Sequence, residues 1–267
     1  MKKEISSTTK TKTLRLVCLS YDAVAILGAI GCAQMVVGKP SGTGNPAVKD
    51  AVSIGDFASP DIELIARLNP DLVIGYSEIH AATASRLIKQ NIPVLILQHA
   101  CLEEIYRSIN MLGRITGHEP LARSLVETMK REFEDIAHQS ATAAGRPVVY
   151  FEEWDNPYTC GMQWVSEIIA IAGGIDCFSK RAVNRQFSQR EISAKDIQNA
   201  APDIILASWC GKPVATDSFL ERPGWANVPA VRENRIHEIP GEIILQPGPS
   251  LTRGARYIHE ILSRYAG

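Results

Sequence analysis

Short apolar runs alternate with amphipathic stretches along most of this chain. Leu14 to Ser20 reads as a first strand, and Ala23 to Ile30 as a short apolar helix ending at Gly31. A Gly-rich loop follows from Gly38 to Pro46. Helix-like periodicity then marks Asp61 to Leu68 and Ala81 to Gln90, each followed by a strand-like run, Leu72 to Gly75 and Val94 to Leu97. Strand, helix and strand in this order predict a parallel sheet with crossover helices.

Two amphipathic helices come next, Leu102 to Gly113 and, after Gly117, about Pro120 to Ala137 with proline in its first turn. Small and flexible residues from Ala141 to Arg146 lead to a strand at Pro147 to Phe151. Beyond it the pattern predicts helices at Val165 to Ala172 and Ser193 to Ala200. Strands at Ile204 to Ser208 and around Arg235 to Ile239 follow, with a last helix at Leu251 to Tyr265.

One phrase occurs twice. Asn69-Pro70-Asp71-Leu72-Val73-Ile74-Gly75 returns 132 residues later as Ala201-Pro202-Asp203-Ile204-Ile205-Leu206-Ala207, each time after a helix-like stretch. A Pro-Asp that ends a helix and opens an apolar run is what a buried parallel strand entered from a crossover helix looks like. The repeat predicts two similar α/β lobes. The expected boundaries are a disordered segment over 1–13, an N-terminal lobe over 14–117, a linking helix over 118–141 and a C-terminal lobe over 142–267.

Composition narrows the function classes. A formal charge of −1, with 45% hydrophobic and 21% charged residues, gives no basic field for nucleic acid. No run of about 18 apolar residues exists to span a membrane. Met1 to Thr13 is rich in Lys, Ser and Thr and leads into Leu14 to Leu19, too short for a signal-peptide core. The chain is therefore expected in the cytoplasm, with a periplasmic or lipid-anchored location as the alternative if the start is incomplete. Cys18, Cys32, Cys101, Cys160, Cys177 and Cys210 have no metal-ligand spacing and read as buried thiols of a reducing compartment.

Several pieces in order carry a family resemblance. They are Ile54-Gly55-Asp56-Phe57, the stretch Asp61 to Ile74, Ala172-Gly173-Gly174, Arg222-Pro223-Gly224-Trp225 and Asn234-Arg235-Ile236. From Leu14 to Leu262 the chain resembles the class III substrate-binding proteins of ABC importers, which bind cobalamin, ferric siderophores or haem. The nearest likeness, through Tyr150 to Gly161, is to the cobalamin-binding branch. The resemblance implies two Rossmann-like lobes with parallel sheets joined by one long helix, and a ligand cleft between them lined from the carboxyl ends of the strands.

It also implies residues. Phe57 and Tyr158 match opposed aromatics that clamp a flat ring, and Glu242 matches an acid at the ligand's polar edge. Trp154, Phe187 and Trp209 flank strand ends and join the lining, with Glu153 among the polar contacts. The loop at Ser41 to Asn45 and Gln189 depart from the aromatic pattern. In the family a glutamate on each lobe docks on permease arginines. Glu63 fits the first place, but Lys195 stands at the second, where it would repel an arginine. His80 and, less so, His99 follow strands and are candidate ligands to a metal centre.

Glu152, Glu153 and Asp155 form an acidic cluster that could serve acid/base chemistry, yet no nucleophile motif accompanies it. The expected function is non-catalytic binding of cobalamin or a related corrinoid by a monomer that requires no cofactor. The alternatives are a cytosolic corrinoid chaperone or enzyme derived from this fold, and a ferric siderophore or haem binder. Anionic siderophores would call for basic residues, whereas the polar residues placed at the cleft are mostly acidic.

Overall fold

A computed structural model describes residues 13–265, and the segment expected to be disordered lies almost entirely outside them. The chain divides into two compact units at Leu97/Gln98.

The first unit contains β1 (Leu16–Cys18), α1 (Tyr21–Ala29), β2 (Val36–Lys39), β3 (Val52–Ser53), α2 (Ile62–Arg67), β4 (Leu72–Tyr76), α3 (Ala81–Lys89) and β5 (Val94–Leu97). Its sheet runs β3-β2-β1-β4-β5 and every pairing is parallel. β1 and the middle of β4 are buried, as their unbroken apolar runs require. The chain moves outward from β1 to β3, then α2 carries it back to β4 beside β1. The strand order therefore reverses between β1 and β4.

The second unit contains α4 (Leu102–Thr116), α5 (Glu119–Ser140), β6 (Val148–Asp155), β7 (Tyr158–Cys160), α6 (Gln163–Ile171), β8 (Ile175–Asp176), α7 (Ser179–Ala182) and α8 (Ala194–Ala200). It continues with β9 (Ile204–Ala207), α9 (Pro229–Arg232), β10 (Ile236–Glu238), α10 (Gly241–Ile244) and α11 (Leu251–Leu262). The sheet is ordered β10-β9-β6-β7, with β8 also on β6. It is mixed rather than wholly parallel as expected: β6 runs on to Asp155 and a two-residue turn returns β7 antiparallel to it. Strand order again reverses, here between β6 and β9.

Helix α4 does not stop at Gly113 as expected. Gly113 packs directly on Ala122 of α5, where a Cβ would collide, and the left-handed Gly117 ends the helix instead.

The repeated Pro-Asp phrase makes the same bonds in both units. Asp71 N–H donates to Arg15 O at 2.8 Å, and Arg15 N–H donates to Asp71 Oδ2 at 2.9 Å. Asp203 N–H donates to Val148 O at 2.8 Å, and Val148 N–H donates to Asp203 Oδ2 at 2.8 Å. Each aspartate thus clasps the first strand of its sheet to the strand that follows the crossover helix. The residue before proline is left-handed in both copies, Asn69 with φ 46° and Ala201 with φ 45°. Asparagine tolerates this conformation better than alanine. Ala201→Gly is expected to raise stability by about 0.5–1 kcal/mol, read as a higher denaturation midpoint.

Among the described residues, no helix is long and apolar enough to cross a membrane.

Candidate functional site

In open α/β sheets, ligands bind outside the carboxyl ends of the strands, where strand order reverses. In the first unit that place is the end of β1 and β4, and three aromatic rings meet there. Tyr21, at the start of α1, stacks on Phe57 with centroids 6.1 Å apart and planes at 18°. His80 meets Phe57 edge-on at 4.9 Å. Phe57 remains half-buried, so part of its surface is open to solvent.

His80 acts as a strut for this cluster. Its Nδ1 accepts the Tyr76 N–H at 2.9 Å, which puts the ring proton on Nε2, and Nε2–H donates to Phe57 O at 2.7 Å. The ring is fully buried with both nitrogens engaged, so it is not free to ligate a metal as the sequence had allowed. Ser77 holds the turn between β4 and His80 in a rare conformation for a non-glycine residue, φ 48° and ψ −169°. His99 is also buried, with Nδ1 3.0 Å from Ser108 Oγ. Among the described residues, no group of three or more His, Cys, Asp or Glu is placed to hold a metal ion.

In the second unit the end of β6 carries the acidic cluster, and each carboxylate has its own cation. Glu152 is fully buried and takes both arms of Arg222, at 2.6 and 2.8 Å. It also accepts Trp209 Nε1–H and Tyr150 O–H, both at 3.1 Å. Burial pushes this carboxyl above the usual carboxylate range, against the pull of Arg222, Trp209 and Tyr150. Burial and the neighbouring Glu152 push the Tyr150 phenol up as well.

Glu153 is gripped by Arg190, at 2.7 and 3.1 Å, and the same guanidinium donates to Cys160 O. Asp155 Oδ1 accepts Lys212 Nζ at 2.7 Å. A carboxylate held this way is an acceptor in an ion pair.

The aromatics are built around these pairs. The Arg222 guanidinium lies 3.8 Å from the Phe219 ring centroid, 4.5 Å from Trp225 and 4.8 Å from Tyr158. Tyr158 is half-buried and leans on Trp225 with centroids 5.3 Å apart. Trp209 sits in the core, stacked on Phe219 at 6.2 Å. Trp154 pins its indole N–H on Asn156 O at 2.9 Å and stays half-buried. Phe187 is 42% exposed, with the Arg190 guanidinium 5.7 Å from its centroid. Glu242 is exposed in the first turn of α10, after β10.

Glu153, Trp154, Tyr158, Phe187 and Trp209 are thus brought together around the end of β6. Tyr21, Arg190, Lys212 and Arg222 were missed by sequence reasoning. Tyr21 had a readable signal, since it directly follows the first strand. The three cations lie 37, 57 and 70 residues from the carboxylates they meet; Arg222 opens one of the pieces that carry the family resemblance, while nothing local marks Arg190 and Lys212.

Glu63 and Lys195 are both the second residue of the helix before the repeated strand, in α2 and α8, and both are exposed. Of the cysteines, Cys18, Cys32 and Cys160 are buried, but Cys101 and Cys177 are half-buried and Cys210 is exposed, so the expectation of uniformly buried thiols is corrected.

Comparison with known proteins agrees with this architecture. The family model described as "Periplasmic binding protein" matches residues 16–243. An uncharacterized ABC transporter substrate-binding lipoprotein of Bacillus subtilis is 28% identical over 95% of this chain and 81% of its own length. A cobalamin-binding protein of Halobacterium salinarum is 27% identical over 87% of this chain and 67% of its own length. The periplasmic heme-binding protein of Roseiflexus sp. RS-1 superposes with a TM-score of 0.81 at 24% identity, covering 96% of this chain and 100% of its own. The expected cytoplasmic location finds no support in such relatives, one of which is a lipoprotein. With the match spanning both units and their shared topology, the chain belongs to the periplasmic binding protein family of ABC-importer substrate-binding proteins.

Proposed function

We propose that the ligand is cobalamin or a related corrinoid, captured without catalysis and handed to an ABC permease. The carrying observation is the pairing of charge at the end of β6. Glu152, Glu153 and Asp155 are matched one to one by Arg222, Arg190 and Lys212, so the aromatic faces there are edged by polar but balanced groups. A broad, flat ring with uncharged amide arms suits such a surface. A polyanionic ferric siderophore, or haem with its carboxylates, calls for an excess of cations. The support is this balance and not the acidity that the sequence alone had indicated, because the acids are already neutralised.

Phe57 and Tyr158 are the proposed stacking faces, with Trp154 and Phe187 as further apolar contacts and Glu242 as an acceptor for amide N–H groups. The likeness to a cobalamin-binding protein of Halobacterium salinarum supports the same reading. An exported, membrane-anchored location fits it, in the manner of the Bacillus subtilis relative. Glu63 is the proposed docking residue for the permease. Lys195 would be repelled by an arginine at the second docking place, so the partner permease is expected to present a different group there.

Mass spectrometry of whatever co-purifies from the native host tests the ligand. A cobalt corrinoid is expected, and haem or a ferric siderophore at stoichiometric amounts would overturn the assignment.

A further inference from the structure

Lys212 and Asp155 stand apart from the other two ion pairs at the end of β6. The Glu152–Arg222 pair is sealed, with side chains 0% and 9% exposed, whereas Asp155 and Lys212 are 25% and 40% exposed. Their position is nevertheless fixed. The ammonium lies 4.4 Å from the Trp154 ring centroid and 4.6 Å from that of Trp209. Both indoles are locked from their edges, Trp154 on Asn156 O and Trp209 on Glu152. A cation over two pinned aromatic faces is held more firmly than an ordinary surface lysine.

The pair also has unused capacity. Asp155 Oδ1 accepts Lys212, and Oδ2 has no hydrogen-bond donor among the described residues. Lys212 carries three N–H donors and gives one to Asp155. Side by side, the two groups therefore offer one solvent-facing acceptor and at least one solvent-facing donor.

A primary carboxamide has the complementary pattern, a carbonyl oxygen that accepts and an N–H that donates. A carboxylate does not, since it can accept from Lys212 but meets Asp155 with like charge. Resting on the corrinoid reading above, we propose that Asp155 and Lys212 form a carboxamide reader. In this role Lys212 donates to the amide oxygen of a ring substituent and Asp155 Oδ2 accepts from its nitrogen. The pair then selects corrinoids whose peripheral acids are amidated over those that carry free acids.

Titrations with dicyanocobinamide, whose ring substituents are amides, and cobyrinic acid, which has carboxylates in their place, test this. Wild-type protein is expected to prefer the amide form by about tenfold or more. Asp155→Asn is expected to narrow that preference at least fivefold by removing the repulsion. Lys212→Met is expected to weaken the amide form about tenfold. Thermal midpoints of both variants should stay near wild type, because a partly exposed pair contributes little to stability. If both corrinoids bind and neither variant changes their ratio, the reader is overturned while the corrinoid reading stands. If neither corrinoid binds wild-type protein, both fail together.

Discussion

Arg222→Met is expected to lower the unfolding free energy by about 3–5 kcal/mol at neutral pH, because it leaves a buried carboxylate without its cation. Glu152 is fully enclosed, and Arg222 supplies two of the four donors on its oxygens. The variant also takes a cation away from the rings of Tyr158, Phe219 and Trp225.

The loss should depend on pH in a definite direction. Without Arg222, burial is opposed only by the hydrogen bonds from Trp209 and Tyr150, and the Glu152 carboxyl rises further above the ordinary range. The folded variant then binds a proton that the unfolded chain releases, so its stability falls as pH rises through that window and recovers towards pH 5. Chemical denaturation at pH 5 and pH 8 checks this, with the smaller deficit expected at pH 5. Glu152→Gln added to Arg222→Met should recover about 1–2 kcal/mol at pH 8, since the amide oxygen still accepts from Trp209 and Tyr150. A single variant as stable as wild type at pH 8 would mean that the pair does not hold this unit together.

Removing an aromatic face should cost binding and little else. Phe57→Ala and Tyr158→Ala are each expected to weaken cyanocobalamin 10- to 100-fold, about 1.4–2.8 kcal/mol apiece. Both rings are half-buried and backed by fixed neighbours, Phe57 by Tyr21 and His80, and Tyr158 by Trp225 and Arg222. A preformed face loses little entropy on binding, which makes its removal expensive. Phe57→Trp, which keeps the face, should bind within a fewfold of wild type. Calorimetric titration distinguishes these outcomes, and a wild-type affinity in both alanine variants would remove the two rings from the site.

The fold was legible because its signals are local. The phrase Pro70-Asp71 and its return as Pro202-Asp203 marked both crossovers, and the structure gives the physical reason in the paired clasps of Asp71 and Asp203. What the pattern missed were places where a distant contact overrides local preference. Gly113 reads as a helix end but serves the close approach to Ala122. Trp154 and Asp155 fall beyond the expected strand end at Phe151 but lie in a strand paired by β7.

The candidate site was legible in its acids, which cluster along the chain at Glu152, Glu153 and Asp155, and in those aromatics that the family pattern or a strand end marks. Its cations were not, since Arg190, Lys212 and Arg222 come from separate loops and meet β6 only after folding. That omission inverted the electrostatic argument, because an acidic cluster in sequence became a balanced one in space. His80 shows the same limit: a histidine after a strand reads as a ligand until both nitrogens are found on the backbone.

The most direct test is titration of the purified protein with cyanocobalamin, followed by heat and by the visible spectrum of the corrin. Saturable binding at one ligand per chain, with a Kd in the low micromolar range or below, is the predicted result. No binding at tens of micromolar, with haemin or a ferric siderophore bound tightly by the same preparation, would contradict it.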